Sequence, residues 1–153
     1  VYKRQALISL VLLLVLAVSA GAASSQNVGV KFWKERSDKE SMANSGIDPD
    51  RTATLTRQAN GTYTLTLPVM QVSKLGVTGY LSGLTIGDVT YDGTLTGDFN
   101  KATAVLTIKN LPASVLTGSD VNKSVLVTCN IQMDLQVLGE INTSARMCIW
   151  NQK

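Results

Sequence analysis

Short runs in which an apolar side chain alternates with threonine, each run ended by Gly, Asn or Asp, restrict this fold most. Thr52-Ala53-Thr54-Leu55-Thr56 and Tyr63-Thr64-Leu65-Thr66-Leu67 are the clearest. A repeat of two puts successive side chains on opposite faces of an extended strand, and no long helical repeat occurs beyond residue 24. Asn60-Gly61 between these two runs suits the positive φ of a tight turn, which predicts a hairpin. Ala53 and Leu55 then share one face with Tyr63, Leu65 and Leu67, while threonines cover a wet face. Pro68 limits how far the second strand continues as a central one.

The same reading extends along the chain. Residues 28–33 form a first strand, with Val28, Val30 and Phe32 on one side. Residues 34–50 are polar and end in the turn signal Asp48-Pro49-Asp50, and Glu40-Ser41-Met42-Ala43-Asn44-Ser45 at their centre suits one short helical turn. Gly76, Gly79, Gly83 and Gly87 predict irregular strands or bends. Asp92-Gly93 reads as a turn and residues 102–108 as a strand. The last pair places Val125, Val127, Cys129, Ile131 and Met133 on one face and returns through Ala145, Met147 and Ile149. Many short strands with turns between them predict an all-β fold, an antiparallel β-sandwich rather than a barrel.

Residues 1–23 have another character. Lys3 and Arg4 precede an apolar run from residue 6 to residue 18, and small residues follow through Ala20-Gly21-Ala22. This is the pattern of a helical signal peptide, and the run is short for a membrane span. The expectation is a cleaved leader, 1–23, with a retained anchor as the alternative, and one β domain, 24–153. No Leu-Pro-x-Thr-Gly pattern follows Trp150, so the expected product is secreted, or held at the surface through its N-terminal segment.

Of 14 basic residues two lie in the leader, leaving near balance with 11 acidic ones, which argues against nucleic acid as a partner. The chain has no histidine, which excludes Ser-His-Asp and Cys-His catalysis and His-ligated zinc. With no nucleophile motif either, the expectation is a non-enzymatic protein. Cys129 and Cys148 lack C-x-x-C spacing, leaving a structural disulfide or buried thiols. Asp48, Asp50, Asp88, Asp92 and Asp98 offer oxygen ligands but no EF-hand pattern, and Asp is also a turn residue. Asn60, Asn122 and Asn142 begin N-glycosylation sequons, a pattern that matters only in a host with that pathway.

The stretch Trp33-Lys34-Glu35-Arg36-Ser37-Asp38-Lys39-Glu40-Ser41-Met42-Ala43-Asn44, followed by Ala53, Gly61-Thr62-Tyr63-Thr64 and Gly79-Tyr80-Leu81, resembles the NEAT (near-iron transporter) domains of Gram-positive bacteria, in particular a clostridial-type variant. Ala145-Arg146-Met147-Cys148-Ile149-Trp150 is similar to the final strand of that group. The resemblance covers residues 28–84 and 145–150. It implies an immunoglobulin-like sandwich that holds haem between a short helical lip and a late hairpin. Ser41, Met42, Ala43 and Asn44 then fall at the lip.

The chain departs from the family at the ligand to iron. Haem-binding members carry Tyr-x-x-x-Tyr on the late hairpin, whereas residues 133–146 contain no tyrosine, and Gly139 and Thr143 take those places. Met42 and Met133 remain as thioether donors, although methionine in a β-rich domain is usually core filling. Ser41 equally suits a helix N-cap, and Tyr80 a packed aromatic. The resemblance thus implies haem as cofactor, haem or a haem-carrying protein as partner, and Ser41, Met42, Ala43, Asn44 and Met133 as contacts. The competing reading is a cofactor-free module that binds an extracellular or surface protein.

Overall fold

The computed structural model describes residues 24–74, 76–134 and 140–153. The expected leader and Gly139 lie outside the described residues. Among the described residues nine strands are formed: β1 (Ser24–Lys34), β2 (Ala53–Arg57), β3 (Tyr63–Pro68), β4 (Val72–Lys74), β5 (Val77–Ile86), β6 (Val89–Thr96), β7 (Val105–Leu111), β8 (Val125–Met133) and β9 (Glu140–Asn151). All their pairings are antiparallel, in the order β4-β5-β6-β7-β3-β2-β1-β9-β8.

The expected all-β antiparallel architecture is present, but the preference for a sandwich over a barrel needs correction. β5 also pairs with β8, from Gly79↔Met133 to Thr85↔Thr128, so the sheet closes into a ring with β4 attached outside it. Alternation of side chains reports which face is buried, not whether two edges meet. The glycines make the meeting sterically feasible: a Cβ on Gly79 would lie 2.6 Å from the Gln132 carbonyl oxygen. The segment expected to be irregular is one long strand that carries the irregularity within it, a register shift against β8 between Leu81 and Gly83.

The ring encloses Phe32, Leu55, Leu65, Leu67, Leu84, Leu106, Ile108, Met147 and Ile149, all nearly inaccessible to solvent. Full burial of side chains of this size stabilises by about 1.5–3 kcal/mol each. Ala53, Leu55, Leu65 and Leu67 face inward as the hairpin pattern predicts. Across the outer face, Thr54 pairs with Thr66, Thr66 with Thr107 and Thr107 with Thr94.

Two local expectations fail for identifiable reasons. Asp92-Gly93 lies inside β6, and the turn is instead at Gly87, with φ +60°. Gly93 is needed where a Cβ would come 2.4 Å from the Leu106 side chain. The strand expected over residues 102–108 begins only at Val105, because Ala102 takes a left-handed conformation (φ 52°) that closes a 3₁₀ turn capped by Asp98.

Cys129 and Cys148 are free and buried, which decides between the alternatives in favour of thiols. The register explains it. Cys129 lies opposite Thr143 on the inward face of the β8–β9 hairpin, whereas Cys148 is one residue out of phase with inward Met147 and Ile149. Its sulfur lies 3.6 Å from the Asp120 carbonyl on the other side of the sheet.

A candidate ligand-binding groove

The lip is made where β1 ends. After Lys34 the chain turns back, with Lys34 N–H donating to Lys39 C=O at 2.8 Å and Trp33 bridging Glu40. Arg146 of β9 fastens this loop by donating to the carbonyls of Lys34 (3.0 Å) and Ser37 (2.8 Å), and it pairs with Asp38 at 2.7 Å. Lys31 adds an ion pair to Glu40 at 2.6 Å. The chain then enters a 3₁₀ turn, Met42–Gly46, whose N-cap is Ser41.

Ser41 is buried, and its Oγ accepts from Ala43 N–H at 3.2 Å, as the capping reading requires. Beyond the turn, Met70 N–H donates to Gly46 C=O at 2.9 Å and Ile47 bridges Val69. The lip is thus tied to β1 at one end and to the segment following β3 at the other. Met42, at its apex, is 65% exposed.

Facing the lip is the far part of the β8–β9 hairpin. Val127 and Cys129 belong to the core, and the same inward face continues past the core as Ile131 and Met133; across the ladder Thr143 stands opposite Cys129 and Ile141 opposite Ile131. Val72 and Ser73 of β4 supply a side wall, and Lys34 and Glu35 line the groove where β1 ends. Together these elements bound a groove of about 280 Å³ whose accessible lining is mainly apolar surface.

Of the five expected contacts, Ser41, Met42, Ala43 and Met133 line this groove, although Met133 comes from the opposite end of the chain. Asn44 does not: its side chain turns back onto β1, bonding the Phe32 amide and carbonyl. Thr143, one of the positions that replace tyrosine, also lines the groove. Tyr80 is on β5, with its ring 5.6 Å from that of Phe99, a packed aromatic away from the groove.

Ile131, Ile141, Val72 and Lys34 were not anticipated from sequence. For Ile131 and Ile141 the signal was available, since the inward period continues beyond the last residues needed to fill the core. Three-residue β4 carries no such pattern.

Electrostatic perturbation lies elsewhere. Burial pushes the Cys129 thiol up to about 12. Asp48, buried in the loop after the lip, is held below the usual carboxylate range by hydrogen bonds from Arg51 Nε (2.7 Å) and Asp50 N–H (2.9 Å). Arg51 also donates to the Ala104 carbonyl at 2.7 Å, so the pair ties loop to sheet. Among the described residues no group of three or more His, Cys, Asp or Glu side chains is arranged to hold a metal ion.

No family model matches the chain, and no curated protein matches it. Solved structures do. One is a point mutant of the NEAT5 domain of IsdX2 in complex with heme, with a TM-score of 0.53 at 12% identity, covering 86% of this chain and 98% of that one. Another is the NEAT5 domain of IsdX2, a B. anthracis hemophore, also in complex with heme, with a TM-score of 0.50 at 11% identity and coverages of 86% and 99%. The chain has a NEAT-like fold, as its Trp33-to-Asn44 stretch and final strand led us to expect.

Proposed function

We propose that this is an exported, non-enzymatic binding domain that holds haem, or a related planar apolar ligand, between the 3₁₀ lip and the β8–β9 hairpin. One observation carries the reading: Ser41, Met42 and Ala43 converge with Met133 on a single apolar groove at the mouth of a NEAT-like fold. The domain acts outside the cytoplasm after loss of residues 1–23, capturing or relaying its ligand at the surface or in the medium.

The groove suits the ring of such a ligand. Ala43, Val72, Ile131, Met133 and Ile141 offer hydrophobic surface, and Met42 is free to close over a bound plane. The iron fares differently. Residues 133–146 hold no tyrosine, histidine or cysteine, so the hairpin brings no strong axial ligand. The ring fits these residues; an iron-ligating set does not.

That lack of a phenol keeps a second reading in view, a cofactor-free module that uses the same lip to bind an extracellular protein. A haemin titration of residues 24–153, the span containing the closed ring, separates the two. The haem reading expects a saturable one-to-one shift of the Soret band, unlike free haemin and benchmarked against albumin. It also expects Met42→Ala to weaken binding without lowering the melting temperature. Absence of any shift would transfer the groove to the protein-binding reading.

A further inference from the structure

We propose that the groove selects the porphyrin ring and is indifferent to the metal at its centre, so that metal-free and metal-loaded porphyrins bind alike. The inference rests on the porphyrin reading of the groove and adds which part of the ligand is read.

The donors around the groove carry it. Ferric iron is held in proteins by imidazole, thiolate or phenolate, and methionine serves mainly as a partner to histidine. The chain has no histidine, and its two thiols are buried, Cys148 on the opposite side of the sheet. Two thioethers remain. Met133 is 7% exposed and sits where a Cβ on Gly79 would come 2.7 Å from its sulfur, so that sulfur is engaged in packing β8 on β5. Met42 is the accessible one, a single neutral donor on an open lip, and among the described residues no imidazole, thiol or phenol lines the groove with it.

The hydroxyls are no better placed. Ser41 Oγ is committed to capping Ala43 N–H, and Thr143 offers a neutral alcohol whose pKa lies far above that of a phenol. The nearby carboxylate Asp134 is hydrogen-bonded to the Thr78 hydroxyl. Glu35 lines the groove next to Lys34 as an exposed side chain open to solvent. What the groove provides in quantity is apolar surface, whose attraction is proportional to area and blind to the metal.

The test is a set of parallel titrations of residues 24–153 with haemin, zinc protoporphyrin and metal-free protoporphyrin IX, repeated on Met42→Leu, which preserves volume and removes sulfur. The expected result is dissociation constants within about threefold across the three ligands, unchanged within about threefold by Met42→Leu. Haemin binding more than about tenfold tighter than the metal-free ring would overturn the inference while leaving the haem reading standing. Loss of haemin affinity alone in Met42→Leu would also overturn it, by assigning the thioether to iron. Failure of all three porphyrins to bind would remove both the inference and the reading beneath it.

Discussion

The side chain of Asn44 pairs with the backbone of Phe32 as a strand would: Phe32 N–H donates to Oδ1 at 2.8 Å and Nδ2 donates to Phe32 C=O at 2.6 Å. A third bond, from Nδ2 to Ser41 C=O at 3.0 Å, locks the turn itself. The residue expected to touch ligand is thus a fastener of the lip that borders the groove.

Asn44→Ala should therefore cost about 2–3 kcal/mol, since it removes these bonds and leaves the Phe32 amide without its partner. Urea unfolding measures this. Ligand affinity should fall as well, because Met42 and Ala43 lose their fixed position. A variant as stable as the parent would show that water replaces the amide without loss.

Gly79→Ala tests the closure of the ring. The added methyl would meet both the Gln132 carbonyl oxygen and the Met133 sulfur at under 3 Å, so β5 and β8 must part. Destabilisation of about 1–3 kcal/mol is expected, typical of overpacking. Faster amide exchange should be confined to the β5–β8 ladder and the groove wall. Uniform exchange rates would mean the strands yield without separating.

Cys129 makes stability depend on alkaline pH. Its thiol ordinarily ionises near 9.0, and in the fold near about 12, so between these values the unfolded chain has lost a proton that the native one keeps. Stability contributed by the buried thiol is complete below pH 9 and declines as pH rises toward 12, by about 1.4 kcal/mol per unit. Denaturation midpoints measured across that window should show the decline in the parent and a shallower one in Cys129→Ala.

At the acid end the controlling group is Asp48, whose carboxylate is favoured in the fold. Its contribution is present above the ordinary value of 3.8 and is lost as pH falls through the lowered native value. Asp48→Asn should be less stable near neutrality, and its melting temperature should fall less between pH 5 and pH 2, to about the extent of this one group. Parallel acid limbs would exclude the pair from acid unfolding.

Much of this architecture is legible in the chain, for a physical reason. The Leu55 and Leu65 strands, the Asn60-Gly61 turn with Gly61 at φ +83°, and the inward face of β8 follow from local alternation and turn chemistry. The lip was readable too, because Ser41 followed by a short polar-apolar segment is a capping signature in itself. Closure of the ring was not, since it depends on how two distant strands approach at Gly79. Nor was the role of Asn44, since an amide that substitutes for a strand is invisible until its target, twelve residues earlier, is brought alongside. β4 escaped for want of length, and with it the side wall formed by Val72 and Ser73.

The opposed facing of Cys129 and Cys148 bears on where this domain can live. Its circuit of strands is completed by main-chain hydrogen bonds, with no sulfur clasp between the two thiols. Such a domain asks nothing of the oxidant supply around it: its closure uses no sulfur–sulfur bond, so its maturation needs no thiol-oxidising helper.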